Sequence, residues 1–203
     1  MIYGSGSSAM QDFKTAFGQV AQACADIAPD VRLVYSPNYD PDDAVYDAWA
    51  PSPEQYQFVA ADYYPDVANQ ATAADYIKKL QAFHDRYTQN STTKMIIAET
   101  SLKLNVTSQT RIDWLRQLAS SSVREAMPNL VSLSWYNVDV ESEYDYRIVD
   151  PPNDDYNEPF KRFIERLTAR QSNGACRSAV PSLRYAGSAV RRQVLKYTRR
   201  YAS

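Results

Sequence analysis

Apolar positions along this chain switch between two periods. Over residues 10–27, Phe13, Phe17, Val20, Ala21, Cys24 and Ile27 recur at helical spacing and Pro29 ends the run, which predicts a helix. Val31 to Tyr35 is a short apolar run closed by Ser36-Pro37-Asn38, a predicted strand. Residues 39–54 are rich in Asp and Pro and read as a loop with about one helical turn. Gln57 to Ala61 predicts a second strand, running into Asp62-Tyr63-Tyr64-Pro65. The helical period returns over 71–87, with Tyr76, Ile77, Leu80, Phe83, His84 and Tyr87 on one face. Lys94 to Ala98 predicts a third strand, and Glu99 follows it directly. A helix over 108–123 carries Ile112, Leu115, Leu118 and Ala119. Leu130 to Ser134 is the fourth predicted strand, leading into Trp135-Tyr136-Asn137. An acidic loop over 138–156 and a helix over 157–169, with Phe160, Phe163, Ile164 and Leu167, complete the pattern.

Strands that alternate with helices imply crossover connections and a parallel sheet, so the fold class is α/β. The strands are short continuous apolar runs, as strands buried on both faces are. Four strands are too few to close an eight-stranded barrel. The pattern fits either a small open sheet or the second half of a (β/α)8 barrel.

Each predicted strand exits into polar or aromatic residues: Ser36 and Asn38, Asp62 and Tyr64, Glu99, then Trp135 and Asn137. All four sets lie at carboxyl ends, on the face where parallel α/β folds keep their chemistry. A lone Glu after a strand is more often an ion-pair partner or a helix cap than a catalyst. Four convergent strand ends make a much more specific signal. Glycoside hydrolysis with retention needs two carboxyl groups about 5–5.5 Å apart, one the nucleophile and one the acid/base. Glu99 fits the nucleophile. Tyr64 is placed to hydrogen-bond it and hold it ionised, and Trp135 could stack on a sugar face.

Composition and charge narrow this picture. The chain has 203 residues, 44% of them hydrophobic, with 16 Tyr and 3 Trp, enough for a core and for aromatic surfaces. Net charge is −2, but residues 171–203 hold seven of the 22 Lys and Arg and no acid. Residues 1–170 therefore carry 15 basic against 24 acidic residues, which argues against nucleic acid and suits a neutral ligand. Cys24 and Cys176 have no metal-ligand spacing, and no cofactor is implied. Cys24 is expected as a buried thiol, and a Cys24–Cys176 disulfide has no support in the sequence. No run reaches the roughly 20 apolar residues of a membrane span, and no signal peptide is visible. His84, the single histidine, reads as structural, and the Asp40-Asp42-Asp43-Asp47 loop as solvated rather than metal-binding.

Five segments occur in one order: Val34-Tyr35-Ser36-Pro37-Asn38, Phe58 to Pro65, Ile97-Ala98-Glu99-Thr100, Ser134-Trp135-Tyr136-Asn137-Val138, and Asp145-Tyr146-Arg147-Ile148. Together, over about residues 10–168, the chain resembles the C-terminal half of glycoside hydrolase family 26, the β-mannanase-type (β/α)8 barrels of clan A. The resemblance implies a partial TIM barrel, about strands 5–8 with their helices, over residues 1–170, and a basic extension over 171–203. It implies retaining cleavage of a β-linked glycan, mannan first among them, with Glu99 as nucleophile, Tyr64 as its partner and Trp135 lining the sugar site. Asn38, Asp62, Asn137 and Arg147 would contact substrate. The family's Asp-Trp-Arg appears here as Asp145-Tyr146-Arg147, which leaves stacking at Tyr146 open, and Arg147 could pair with an acidic neighbour instead.

In that family the acid/base Glu follows the fourth strand, in a segment this sequence is expected to lack. The expected consequences are weak activity alone and self-association through open sheet edges. The alternatives are a non-catalytic glycan-binding scaffold and a truncated gene product. The family setting implies secretion. Residues 184–201 read as a basic amphipathic segment outside the fold, with Val190, Val194, Tyr197 and Tyr201 on one face.

Overall fold

The computed structural model describes residues 7–37, 43–65, 71–89, 92–102, 106–140, 144–150 and 154–172. Its elements run α1 (Ser7–Ile27), β1 (Val34–Tyr35), α2 (Asp43–Trp49), a 3-10 turn (Pro53–Gln55), β2 (Phe58–Tyr63) and α3 (Ala73–Thr88). They continue with β3 (Lys94–Thr100), α4 (Ser108–Leu118), α5 (Ser121–Ala126), β4 (Leu130–Trp135), β5 (Asp139–Val140), β6 (Tyr144–Asp145) and α6 (Asp154–Ser172). Strands β1 to β4 form one parallel sheet in sequence order. Neighbouring parallel strands joined through helices are the βα repeat expected from the alternating pattern, and this is the α/β architecture of a partial (β/α)8 barrel.

One layer of helices covers one face of the sheet. Tyr76, Leu80 and Phe83 of α3, Trp114 and Leu118 of α4 and Val123 of α5 pack in a single cluster with Val59, Ala61 and Tyr63 of β2 and Met95 and Ile97 of β3. Alternate strand residues point to opposite faces, so these positions define the helix side. Asp62, Tyr64 and Glu99 belong to the other side. A second cluster joins Ile112 and Leu115 of α4 to Ile148 and to Phe163 of α6.

The structure departs from the sequence pattern at several places, each with a physical reason. Within residues 39–54, Asp43–Trp49 is helical because Tyr46 is buried edge-on against Phe83, with ring centroids 4.9 Å apart. The helix expected over 108–123 is two helices, since the Ser120 side chain accepts from Val123 N–H and starts a new one. Part of the acidic loop is a small antiparallel hairpin, β5–β6. Helix α1 buries less of its apolar face than its period suggests. Phe17 packs on the core, while Val20 and Ile27 are 53% and 84% exposed, because α1 rests mainly on α2 and the 3-10 turn. Cys24 is half-buried and free. Cys176, Asn38, Asp40, Asp42 and the basic segment over 184–201 lie outside the described residues.

Candidate functional site

The site is built around one irregularity in β3. Ala61 pairs with Ile97, but the next residue, Asp62, pairs with Glu99. On the other side Ile97 pairs with Leu133, and Thr100 with Trp135, so β3 also carries one more residue than β4. Strand β3 therefore has an extra residue at Ala98–Glu99 relative to both neighbours. Strict alternation would put Glu99 on the helix side with Met95 and Ile97. The bulge returns Thr100 to that side, fully buried, and leaves Glu99 exposed on the other.

Thr100 anchors the turn-over. Its hydroxyl donates to the Tyr63 carbonyl at 2.7 Å and accepts from the Trp114 indole N–H at 3.3 Å. The strand end beyond Glu99 is thus fixed to β2 and to α4. Glu99 has little freedom of backbone even though its side chain is open to solvent.

Tyr64 donates its phenol O–H to Glu99 Oε2 at 2.8 Å. Burial, followed by the bond to Glu99, raises the Tyr64 pKa well above the usual phenol range, and Asp62 and Tyr136 add to this. Tyr64 therefore stays a neutral donor at any working pH. Asp62, the register partner of Glu99, stands beside the pair. Burial and the adjacent Glu99 charge push its pKa up to about 6, and a hydrogen bond with the Glu99 backbone offsets part of this. Its Oδ1 is buried with no hydrogen-bond partner among the described residues. Among the described residues, the carboxyl group that interacts with Glu99 is this one, alongside rather than across from it.

An aromatic group closes one side. Tyr64, Tyr136 and Tyr146 lie edge-to-face, with centroids 6.1 Å (Tyr64–Tyr136), 6.0 Å (Tyr64–Tyr146) and 5.4 Å (Tyr136–Tyr146) apart. Behind them the Tyr146 carbonyl accepts from Trp135 Nε1 at 2.7 Å and from Ser101 Oγ at 3.2 Å. Trp135 packs against both core clusters.

The other residues marked in the sequence hold the hairpin. Asn137 Oδ1 accepts from the N–H groups of Ile148 and Val149 at 2.8 and 3.1 Å, and its Nδ2 donates to the Val149 carbonyl at 2.9 Å. Arg147 pairs with three aspartates: Asp145 at 2.9 Å, Asp139 at 2.9 Å and Asp150 at 3.1 Å. Asp139 and Asp145 are directly opposite across the hairpin, where two like charges repel, and Arg147 sits between them. The hydrogen bond to Asp145 drives the Arg147 pKa further above its already high value. Buried Arg111 braces the same hairpin through the Asp145 carbonyl. The structure thus brings Glu99, Tyr64 and Asp62 together, with Trp135 behind the aromatic group and Asn137 and Arg147 engaged with their own loop. Asn38 lies outside the described residues.

Sequence reasoning missed Tyr136. The signal was present in Ser132-Leu133-Ser134-Trp135-Tyr136. There the polar Ser132 and Ser134 mark one face, and a period of two carried past Trp135 assigns Tyr136 to it and Leu133 and Trp135 to the other. Among the described residues no group of three His, Cys, Asp or Glu side chains could hold a metal ion. No helix there is long and apolar enough to cross a membrane.

No protein-family model matches the chain, and no curated protein matches it. Among solved structures it is similar to an engineered protein, with a TM-score of 0.57 and 13% identity over 79% of this chain and 36% of that one. It is similar to a β-glycosidase, with a TM-score of 0.53 and 13% identity over 80% of this chain and 50% of that one. A fungal β-1,4-galactanase gives a TM-score of 0.52 and 12% identity over 68% of this chain and 50% of the other. The chain thus spans between about a third and a half of the length of these structures. At such identities the likeness is one of fold, and the fold is an α/β segment of the kind these glycosidases contain.

Proposed function

We propose that this chain carries the nucleophile half of a retaining β-glycosidase site of the family 26 type, acting on a β-linked glycan such as mannan. The observation that carries the reading is the 2.8 Å hydrogen bond from Tyr64 to Glu99 at the carboxyl ends of adjacent parallel strands. A retaining mechanism needs a carboxylate held at a fixed angle below the anomeric carbon. The bulge aims Glu99, Thr100 anchors the strand behind it, and Tyr64 holds one oxygen, leaving the other free to attack. The sequence segments around Glu99, Tyr64 and Asp145-Tyr146-Arg147 support family 26 within the wider class of glycosidase barrels.

The second carboxyl present, Asp62, stands beside Glu99 on the next strand, whereas a general acid must face the leaving-group oxygen. General acid catalysis contributes about 10²–10⁴-fold. The chain by itself should therefore react with substrates whose leaving groups need no protonation. The experiment is to incubate the chain and a Glu99→Gln variant with 2,4-dinitrophenyl 2-deoxy-2-fluoro-β-mannoside. A burst of dinitrophenol and a mass adduct on Glu99, absent from the variant, are expected. No adduct on the wild-type protein would refute the catalytic reading.

A second reading has one specific observation in its favour, the absence of an opposing acid near Glu99 among the described residues. It is a glycan-binding protein without turnover. Affinity for mannohexaose that Glu99→Gln leaves unchanged, with no adduct, would establish it over the first.

A further inference from the structure

We propose that Tyr136 is the ring that contacts the sugar at the Tyr64–Glu99 pair, with Trp135 acting behind it as a buttress; this rests on the glycan reading above. Trp135 is the last residue of β4 and Tyr136 follows it directly with its N–H still bonded to the Thr100 carbonyl of β3, so the alternation of the strand carries on to it. Trp135 is the register partner of Thr100, and register partners share a face. Thr100 is fully buried against Trp114 of α4, so Trp135 belongs to the helix side. Its indole N–H is already used on the Tyr146 carbonyl at 2.7 Å, and its ring packs against both core clusters.

Tyr136 is placed differently. Its backbone N–H donates to the Thr100 carbonyl at 2.9 Å, which pins it beside the residue that follows Glu99. Its ring stands edge-on to Tyr64 at an interplanar angle of 85°, and to Tyr146 at 70°. Tyr146 is only 8% exposed and has no free face for a ligand. Tyr136 and Trp135 are both partly exposed, but the Tyr136 ring lies against Tyr64 on the open side whereas Trp135 packs on the core clusters. Tyr136 is therefore a ring with an accessible surface, held edge-on by Tyr64 and Tyr146, next to an open carboxylate that a phenol already orients. A pyranose offers an apolar C–H face and a rim of hydroxyls, which match the ring and its phenolic tip. Because the ring is fixed before binding, little ordering remains to oppose association.

The test measures the affinity of the full chain for mannohexaose by titration calorimetry, alongside the Glu99 labelling described above. Tyr136→Leu and Trp135→Leu each remove a ring and keep apolar bulk, and Tyr136→Phe keeps the ring. Tyr136→Leu should weaken binding about tenfold or more, and Tyr136→Phe should stay within about threefold of the wild type. Trp135→Leu should lower the melting temperature and shift affinity less than Tyr136→Leu does. Wild-type affinity in Tyr136→Leu, or a larger loss in Trp135→Leu, overturns the proposal. Should Tyr136→Leu not fold, Tyr136→His keeps a ring of reduced apolar area and must weaken binding by more than Tyr136→Phe. Labelling of Glu99 with unchanged affinity in Tyr136→Leu defeats this inference alone. Binding that depends on Tyr136 without any labelling defeats the catalytic reading alone, and a wild-type chain that neither binds nor labels defeats both.

Discussion

Asp62→Asn should stabilise the protein above pH 6 and leave it unimproved near pH 4. The carboxyl is half-buried beside Glu99, with Oδ1 lacking a partner among the described residues, and its pKa rises from 3.8 to about 6. Between those two values the folded state binds the proton more tightly than the unfolded chain. Stability therefore falls as pH rises through that window, and the full cost of the charge is present above about pH 6. At about 1.4 kcal/mol for each tenfold change in an equilibrium, the interval from 3.8 to about 6 corresponds to about 3 kcal/mol at most. Water reaching a half-buried group screens part of this, so about 1–3 kcal/mol is expected.

Asparagine keeps the shape and one carbonyl acceptor for the Glu99 backbone, and it removes the charge. Urea unfolding of both proteins, followed by far-UV circular dichroism at half-unit steps from pH 4 to 8, gives the difference in stability. Titrating groups distant from the site are common to the two and cancel. The difference should grow in favour of the variant between pH 4 and 6 and then level off. A difference that stays flat across the range would refute the linkage. So would a variant less stable than the wild type at pH 7.5, because the buried charge would then be a net asset.

Tyr64→Phe removes the donor to Glu99 Oε2 and should slow aryl-mannoside labelling about 10–100-fold with little change in half-saturating concentration; stopped-flow release of dinitrophenol measures this. Arg147→Ala leaves Asp139, Asp145 and Asp150 facing one another and should cost about 1.5–3 kcal/mol at pH 7, with partial recovery in high salt or at pH 4, read from the melting temperature. His84 is 1% exposed, and its Nε2 lies 3.1 Å from the Asn129 N–H, so Nδ1 must carry the proton toward Asp85 Oδ1 at 2.8 Å. Long-range nitrogen-15 spectra should show that tautomer, and His84→Ala should cost about 2–4 kcal/mol in urea unfolding, a cavity plus an orphaned N–H.

The fold was legible because its signals are local. The helical periods of 71–87 and 10–27, and the apolar runs at Gln57 to Ala61, Lys94 to Ala98 and Leu130 to Ser134, mark elements that the structure contains within a few residues. The Glu99–Tyr64 contact was legible for a related reason: parallel strands in sequence order bring successive carboxyl ends together, so two residues 35 apart become neighbours. Helix α2 was anticipated only as about one helical turn, because its packing depends on Tyr46 finding Phe83, a contact that no local pattern announces. The Arg147 network was only half-anticipated, since three aspartates reach it from a hairpin whose two strands are each two residues long. Such strands are too short to show a period.

The side chain on which the functional proposal turns is also the one that a simple alternation rule misplaces. Counting by twos from Met95 and Ile97 puts Glu99 beneath the helices, where an unpaired carboxylate would cost several kcal/mol. The chain resolves this by inserting a residue, so that Ile97 and Thr100 both face the core and Ala98 and Glu99 both face out. A bulge interrupts the pairing of β3 with both β2 and β4, and a regular strand would pair more completely. A break that stability does not require, at the point where a carboxylate meets a phenol, is what a strand shaped to present that carboxylate would contain. It also explains why Tyr136, and not the larger Trp135, comes to the open side: Thr100 returns to the core, Trp135 follows its register partner there, and the residue just past the end of β4 emerges beside Glu99. One inserted residue thus places both the group proposed to react and the ring proposed to bind.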